Sequence, residues 1–245
     1  MRRFFAQVPR RLFLLTMLVG AALITASSLA YFDFGTVTPF VMEKLPVRFE
    51  ALWLASLRTH VAAALVTFPF CIALMTRTLQ RRPALHRWVG RVTGMVVLLA
   101  LVPSGVVLAF DAKGGRAVTA GFLVSAGIVA WFMVRGVLAA RRRDLVSHRR
   151  AMTHVFAQMT VAVTSRALLT GLDSFGIDPE LAYVVALWAP VLGSAAIAEC
   201  LSLTKSPKFS QLIGRIRREV SPLALAHRVR MLSRPRARPL ARLGR

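Results

Sequence analysis

Six apolar stretches of membrane length constrain the fold of this chain more than any other feature. Runs of about 20 residues with few charges are typical of helices that span a bilayer. They lie near residues 12–31, 51–75, 88–110, 117–140, 151–171 and 181–204. The sequence therefore predicts an all-α fold, a polytopic transmembrane helix bundle of about six spans.

The loops between these stretches are alternately basic and acidic. Arginines cluster in the N-terminal segment, after the second span, after the fourth span and in the tail. Seven of the ten acidic residues lie in the other loops: Asp33, Glu43, Glu50, Asp111, Asp173, Asp178 and Glu180. Short loops rich in Lys and Arg stay in the cytoplasm, so both termini are predicted to be cytoplasmic. The domains are then a basic N-terminus (1–11), a six-helix domain (12–204) and a basic tail (205–245).

Composition supports membrane insertion and excludes other classes. The chain is 56% hydrophobic, with a mean hydropathy of +0.59. A net charge of +23 would indicate nucleic-acid binding in a soluble protein, but here it is mainly an orientation signal, and no nucleic-acid partner is expected. Arginine greatly outnumbers lysine and alanine is abundant, which is typical of a GC-rich bacterium. We therefore expect a multi-pass protein of the bacterial inner membrane.

Both ends of the chain carry a further expectation. In the tail, residues 208–220 combine apolar and basic residues at helical spacing, which predicts an amphipathic helix on anionic lipid. The arginine- and proline-rich end beyond it is predicted to be disordered. At the N-terminus, the small residues Ser28 and Ala30 leave a cleaved signal peptide as the alternative to a retained first span.

Charged residues inside the spans need a partner, because a charge in the hydrocarbon region is costly. Arg135 on the fourth span and Glu199 on the sixth lie at a matched depth near the cytoplasmic end. They are predicted to form a structural ion pair. The alternatives are an Arg135 side chain that extends to the interface without this partner, and a proton-relay role for the pair.

A second group of polar residues lies in the outer part of the membrane. Arg58 and His60 on the second span and Arg166 on the fifth could form an electropositive pocket for an anion, a quinone head group or a carboxylate. His154 and Gln158 make the fifth span the most polar and are counted with this substrate site. The alternative is that the arginines extend to the interface or pair with nearby acids.

Two His-Arg steps form the most specific pattern. His86 follows Pro83, a residue suited to the first helical position, and His148 follows Asp144, a residue suited to capping a helix. Both histidines therefore enter the membrane at nearly equal depth on the cytoplasmic side. They could ligate the iron of one haem b from both faces, with Arg87 and Arg149 holding its propionates. The alternative is that a His-Arg step simply belongs to a basic cytoplasmic turn.

These segments resemble known families. The runs 85–91 and 147–152 and the step from Pro103 to Gly105, together with Thr164 and Arg166, resemble the bacterial membrane family called domain of unknown function 2306 over roughly residues 50–200. This resemblance implies an integral membrane protein but no activity. A more distant similarity is to the cytochrome b561 group, in which paired histidines on four consecutive helices hold two haems. His60, His86 and His148 match ligand positions of that group. The fourth span contains no histidine, so the similarity implies at most one haem, on His86 and His148.

Three functional hypotheses follow. The first is a haem-binding redox protein that exchanges electrons with a quinone or a membrane redox partner. The second is a small-molecule transporter that uses the pocket at Arg58, His60 and Arg166. The third is a structural or regulatory membrane subunit. No phosphate-binding loop, dinucleotide-binding motif or zinc-protease motif is present, so the chain has no soluble-enzyme signature.

Overall fold

The computed structural model describes residues 8–33 and 38–204, and every regular element in those residues is helical. The helices are α1 (Val8–Ser28), α2 (Pro39–Lys44), α3 (Glu50–Met75), α4 (Arg77–Gln80), α5 (Pro83–Val96), α6 (Val102–Phe110), α7 (Gly115–Arg141), α8 (Leu145–Ser174) and α9 (Pro179–Thr204). A short 3₁₀ helix, Leu29–Phe32, continues α1. A π-helical turn, Val97–Leu101, joins α5 to α6.

In the part of the chain that the structure describes, six helical segments are long and apolar enough to cross a membrane, which confirms the predicted fold class. They are Leu12–Phe32, Glu50–Met75, Pro83–Phe110, Gly115–Arg141, Leu145–Ser174 and Pro179–Leu203. The third and fifth begin about one and a half turns earlier than their apolar runs, because their first turns carry the His-Arg steps. We call the end of the bundle with the 76–82 and 142–144 loops the basic end and the opposite one the acidic end.

The core of the bundle is built around α7 and α8, which pack against each other more extensively than any other pair of described helices. Their side chains meet α3 and the π-helical turn in a buried cluster that contains Ala63, Val97, Val129 and Val155. A second cluster joins α1 to α3, and a third joins α7 and α8 to α9. The polar side chains of α8 are thus placed between the other helices.

Proline explains the break in the third span. Pro103 has no N–H to donate and its ring crowds the preceding turn, so the regular α-helical hydrogen-bond pattern cannot pass through it. The helix widens to the π form just before this residue. The hydroxyl of Ser104 then donates to the carbonyl oxygens of Ala100 (2.5 Å) and Leu101 (3.2 Å). This widened turn is where the third span meets His60.

The short helix α2 lies at the acidic end, and the sequence did not predict it. Thr38 caps it by accepting a hydrogen bond from the Val41 N–H, and Pro39 occupies its first turn. Glu43 forms an ion pair with Lys113, and the Lys44 ammonium donates to the carbonyl oxygen of Asp111. These two contacts tie α2 to the loop before α7.

The chain divides into two units, Met1–Glu199 and Cys200–Arg245. Of the second unit, the structure describes only the end of α9. The predicted amphipathic helix and the arginine-rich end lie outside the described residues, as do residues 1–7 of the basic N-terminus.

Close packing of α7 on α8 predicts different effects for two glycines of α7. A Cβ at Gly136 would lie 2.2 Å from the terminal methyl of Met152 and 3.2 Å from the Cβ of Ala151, whereas one at Gly127 would meet nothing within 4 Å. We expect Gly136→Ala to lower the free energy of unfolding by about 1 kcal/mol, at the low end of overpacking. The Met152 methyl is the end of a flexible side chain and can move, whereas the Cβ of Ala151 is held by the backbone of α8. Gly127→Ala should leave it unchanged or raise it, since alanine favours helices. Unfolding in mixed detergent micelles measures both, and equal effects would contradict the packing described.

Candidate functional site

The histidines at the basic end are brought together from two different spans. His86 lies in the first turn of α5 and His148 in the first turn of α8, and both are partly buried. Their imidazoles lie near enough to interact electrostatically. The Nδ1 atom of His86 is buried without a hydrogen-bond partner in the described residues. Arg87 and Arg149, the neighbours of the two histidines, are exposed at the same end.

The ring of His148 is held by a backbone contact to α7. Its Nδ1 lies 2.9 Å from the carbonyl oxygen of Gly136. A carbonyl oxygen can only accept, so Nδ1 carries the hydrogen, and Nε2 of the neutral ring keeps its lone pair. Metal-bound histidines commonly have this arrangement, with the second nitrogen donating to a backbone carbonyl.

Asp144 determines where α8 begins and therefore where His148 lies. Its carboxylate accepts hydrogen bonds from the N–H groups of Val146 (3.2 Å) and Ser147 (3.0 Å), as the sequence predicted for a capping residue. The hydrogen bonds from Ser147 hold the pKa of Asp144 below its usual value. This lowered pKa makes the contribution of the cap dependent on pH.

Replacing Asp144 tests the cap. Asp144→Ala should lower the thermal stability, whereas Asp144→Asn should keep most of it because asparagine caps equally well. The carboxylate has a lower pKa in the folded state, so its contribution is present above the unfolded pKa and is lost as the pH falls through the folded value. Thermal unfolding of the three proteins across the acid range measures this. An Asp144→Asn protein with the same acid dependence as the wild type would contradict the assignment.

Glu199 has different partners from the one that the sequence predicted. Its carboxylate oxygens lie 2.5 Å from Nη2 of Arg150 and 3.0 Å from Nε2 of His154. Arg135, the predicted partner, lies over the ring of Trp131, with its guanidinium carbon 5.4 Å from the ring centre. Arg150 is one helical turn before His154 on α8, so both reach the same carboxylate.

Gln158 makes three side-chain hydrogen bonds in the bundle interior. It is 3% exposed. Its side-chain oxygen accepts from Ser125 of α7 (3.0 Å), and its Nε2 donates to the Val191 carbonyl oxygen and the Ser194 hydroxyl of α9 (both 3.0 Å). With all these bonds made inside the protein, Gln158 joins three spans.

His60 faces the π-helical turn of the third span. Its Nδ1 lies 3.0 Å from the carbonyl oxygen of Leu101 and 3.3 Å from the hydroxyl of Ser104. A Cβ at Gly105 would lie 3.0 Å from the Cε1 of His60, so the glycine gives the ring its space. Arg166, the third residue of the predicted pocket, lies within electrostatic range of His60. It donates to the Ala162 carbonyl oxygen of its own helix (2.8 Å).

Arg58 lines a cavity of about 220 Å³ at the acidic end. Its Nε donates to the carbonyl oxygen of Tyr31 (3.1 Å). The cavity lies between the 3₁₀ helix that follows α1, the α2 segment and α3. Its walls mix polar and apolar side chains and are formed by Ala30, Tyr31, Asp33, Thr38, Val41, Leu45, Glu50, Leu54, Leu57 and Arg58. His154 and Gln158 are on α8, which is not among these walls.

Sequence reasoning missed several partners of the site residues. Arg150 belongs to the basic cluster after the fourth span, and its helical spacing of four from His154 is the signal that could have placed the two on one face. Ser125 and Ser194 gave no signal, because isolated serines are common in spans. The ring of Phe132 stacks on His154, with centroids 3.9 Å apart and an interplanar angle of 3°, and no sequence pattern indicates that contact.

Within the described residues, no group of three or more His, Cys, Asp or Glu side chains is placed to hold a metal ion.

Comparison with known proteins identifies the family. No curated protein and no solved structure matches the chain, so the distant similarity to the cytochrome b561 group stays a prediction. The family model described as "Predicted membrane protein (DUF2306)" matches residues 57–202. Because this match covers more than half of the chain, including most or all of each span after the first, the protein belongs to the DUF2306 family of membrane proteins.

Proposed function

We propose that this membrane protein binds one haem b at its basic end, with His86 and His148 as axial ligands, and passes electrons in the membrane. The observation that carries the proposal is that two separate spans place partly buried imidazoles at the same end of the bundle, and that Nδ1 of His86 has no hydrogen-bond partner in the described residues. A bis-histidine haem takes two ligands from the protein, since the porphyrin supplies the other four.

Neighbouring groups support this assignment. Donation from His148 Nδ1 to the Gly136 carbonyl oxygen fixes the tautomer that leaves Nε2 for a metal. The buried Nδ1 of His86 has no competing hydrogen bond in the described residues. Arg87 and Arg149, exposed beside the histidines, would pair with the propionates. The bound haem would supply one-electron transfer, and the protein would supply its ligands, position and charge.

A reduced-minus-oxidised visible spectrum tests the proposal. We expect the full-length protein, expressed with ample haem precursor and purified in mild detergent, to show a b-type band. His86→Ala and His148→Ala should each abolish it. His60→Ala is the matched control and should keep it, because His60 faces the Leu101 carbonyl oxygen at the π-helical turn. A colourless wild-type protein, or a band that survives both ligand substitutions, would overturn the proposal.

The surroundings of this site follow from the charge of the loops. We infer that the protein lies in the inner membrane of a bacterium and that its basic end faces the cytoplasm. We also infer that the basic tail contacts anionic lipid. The redox partner that we propose is a quinone or a membrane redox protein.

A fusion experiment tests the orientation. Alkaline phosphatase fused after residue 112 should be active, and alkaline phosphatase fused after residue 142 should be inactive, because the enzyme folds only outside the cytoplasm. The reverse pattern would contradict this orientation.

Transport is the second candidate, and the cavity at the acidic end favours it. This cavity of about 220 Å³ is lined by Arg58 and by the carboxylates Asp33 and Glu50. A small polar solute could enter there, with His60, Arg166, His154 and Gln158 as further contacts in the bundle. Uptake by a colourless protein, reduced in Arg58→Gln, would favour transport over electron transfer. Normal uptake in Arg58→Gln would contradict a role for this cavity.

A further inference from the structure

His154 is a buried histidine whose contacts are unlike those of an ordinary core residue. It is 4% exposed. One ring nitrogen, Nε2, lies 3.0 Å from Oε2 of Glu199, and the other, Nδ1, is buried without a hydrogen-bond partner in the described residues. Buried polar atoms in native proteins are rarely left unpaired, and those that are call for a reason.

The partners of Glu199 decide which ring nitrogen carries the hydrogen. Arg150 is always charged, and its Nη2 lies 2.5 Å from Oε1 of Glu199. A carboxylate paired with a guanidinium is ionised and can only accept hydrogen bonds. Nε2 of His154 is therefore the N–H group, and Nδ1 of the neutral ring keeps a basic lone pair in the bundle interior.

The ring of Phe132 lies against the face of His154, where it can also stabilise a charged form of the imidazole. The two rings are parallel within 3°, and their centroids are 3.9 Å apart. A cation over the face of a phenyl ring is attracted to it at this range. The geometry suits an imidazolium at position 154, with Glu199 on its edge and Phe132 on its face.

The other charged and titratable groups nearby are few. On its own helix, Arg150 is the charged residue one turn away, and it is engaged by Glu199. On α7, Arg135 lies over Trp131. On α3, Cys71 is the titratable residue in this half of the bundle, and it is buried. Residues 12–22 of α1 contain no titratable side chain, and on α9 the group facing His154 is Glu199.

We propose that His154 is a proton-binding site in the membrane interior, held by Glu199 and Phe132. The ring takes one proton at Nδ1 from water at the basic end, where the Arg150 and Glu199 side chains are 54% and 36% exposed. It becomes an imidazolium while Glu199 stays ionised, so the pair passes from a net charge of minus one to zero. The site needs no haem, and it stands whether or not the protein is a redox carrier.

Nitrogen-15 NMR of the full-length protein in lipid nanodiscs, labelled at histidine, tests the proposal. The signal of His154 is the one that His154→Gln removes. If that variant does not fold, a protein in which the other four histidines are asparagine gives the same assignment. Between about pH 9 and about pH 5, we expect Nδ1 to pass from bare to protonated while Nε2 stays protonated. A hydrogen on Nδ1 at high pH, or a bare Nδ1 at about pH 5, would overturn the proposal.

A second variant tests the role of the carboxylate. Glu199→Gln should reduce the proton affinity of His154 by about tenfold or more, because an adjacent opposite charge is lost. Glu180→Gln, at the other end of the same helix, should leave that affinity unchanged. An unchanged affinity in Glu199→Gln would show that the carboxylate does not hold the proton site.

Discussion

Replacing Gln158 with leucine is expected to lower the free energy of unfolding by about 2 kcal/mol. The side chain makes three hydrogen bonds to two other spans, and each is 3.0 Å long. A hydrogen bond between spans contributes about 0.6 kcal/mol on average and up to about 1.7 kcal/mol. Leucine fills a similar volume, so the loss should come from the hydrogen bonds and not from a cavity.

The chain offers a matched control for this change. Gln80 is exposed at the basic end and donates to the Leu74 carbonyl oxygen (3.1 Å). Gln80→Leu should alter the free energy of unfolding by no more than about 0.5 kcal/mol, as exposed substitutions do. Equilibrium unfolding in mixed detergent micelles compares the two. Equal effects of the two substitutions would mean that Gln158 does not join the spans as described.

Replacing Glu199 with leucine should also destabilise the bundle, by about 2 kcal/mol. Arg150 is half-exposed and can return to water, so its loss of a partner costs little. His154 is buried, and its Nε2–H would lose its acceptor. A buried donor left without an acceptor costs about 1–3 kcal/mol. The effect should therefore depend on the imidazole and not on the arginine.

A double-mutant cycle separates these two contributions. In a His154→Phe background no ring N–H remains to be stranded, so Glu199→Leu should cost at least about 1 kcal/mol less than in the wild type. Glu180→Leu, at the exposed start of the same helix, is the control and should have a small effect. The same cost of Glu199→Leu in both backgrounds would contradict the contact with His154.

The spans and the fold class could be predicted from the sequence because they depend on one-dimensional properties. A bilayer selects apolar runs of a fixed length, and those runs can be counted. Helix starts at Pro83 and Asp144 were also predictable, since proline and aspartate act through their own backbone and side chain. The same local signals placed His86 and His148 at one end of the bundle.

Contacts between spans were harder to predict, because depth alone does not say which way a side chain points. Arg135 and Glu199 lie at the same depth in the membrane. In the structure, however, Glu199 contacts Arg150 and His154, and Arg135 lies over Trp131. The helix α2 was missed because six residues are too few for a periodic pattern. The π-helical turn depends on Pro103 together with its neighbours, and a proline by itself indicates only a kink.

The haem content of the purified protein tests the central claim most directly. Conversion of bound haem to its pyridine complex, measured against the protein concentration, gives the number of haems per chain. The account predicts one haem b per chain, because His86 and His148 supply one pair of ligands and His60 faces the backbone of the π-helical turn. Two haems per chain, or none after expression with ample haem precursor, would contradict it.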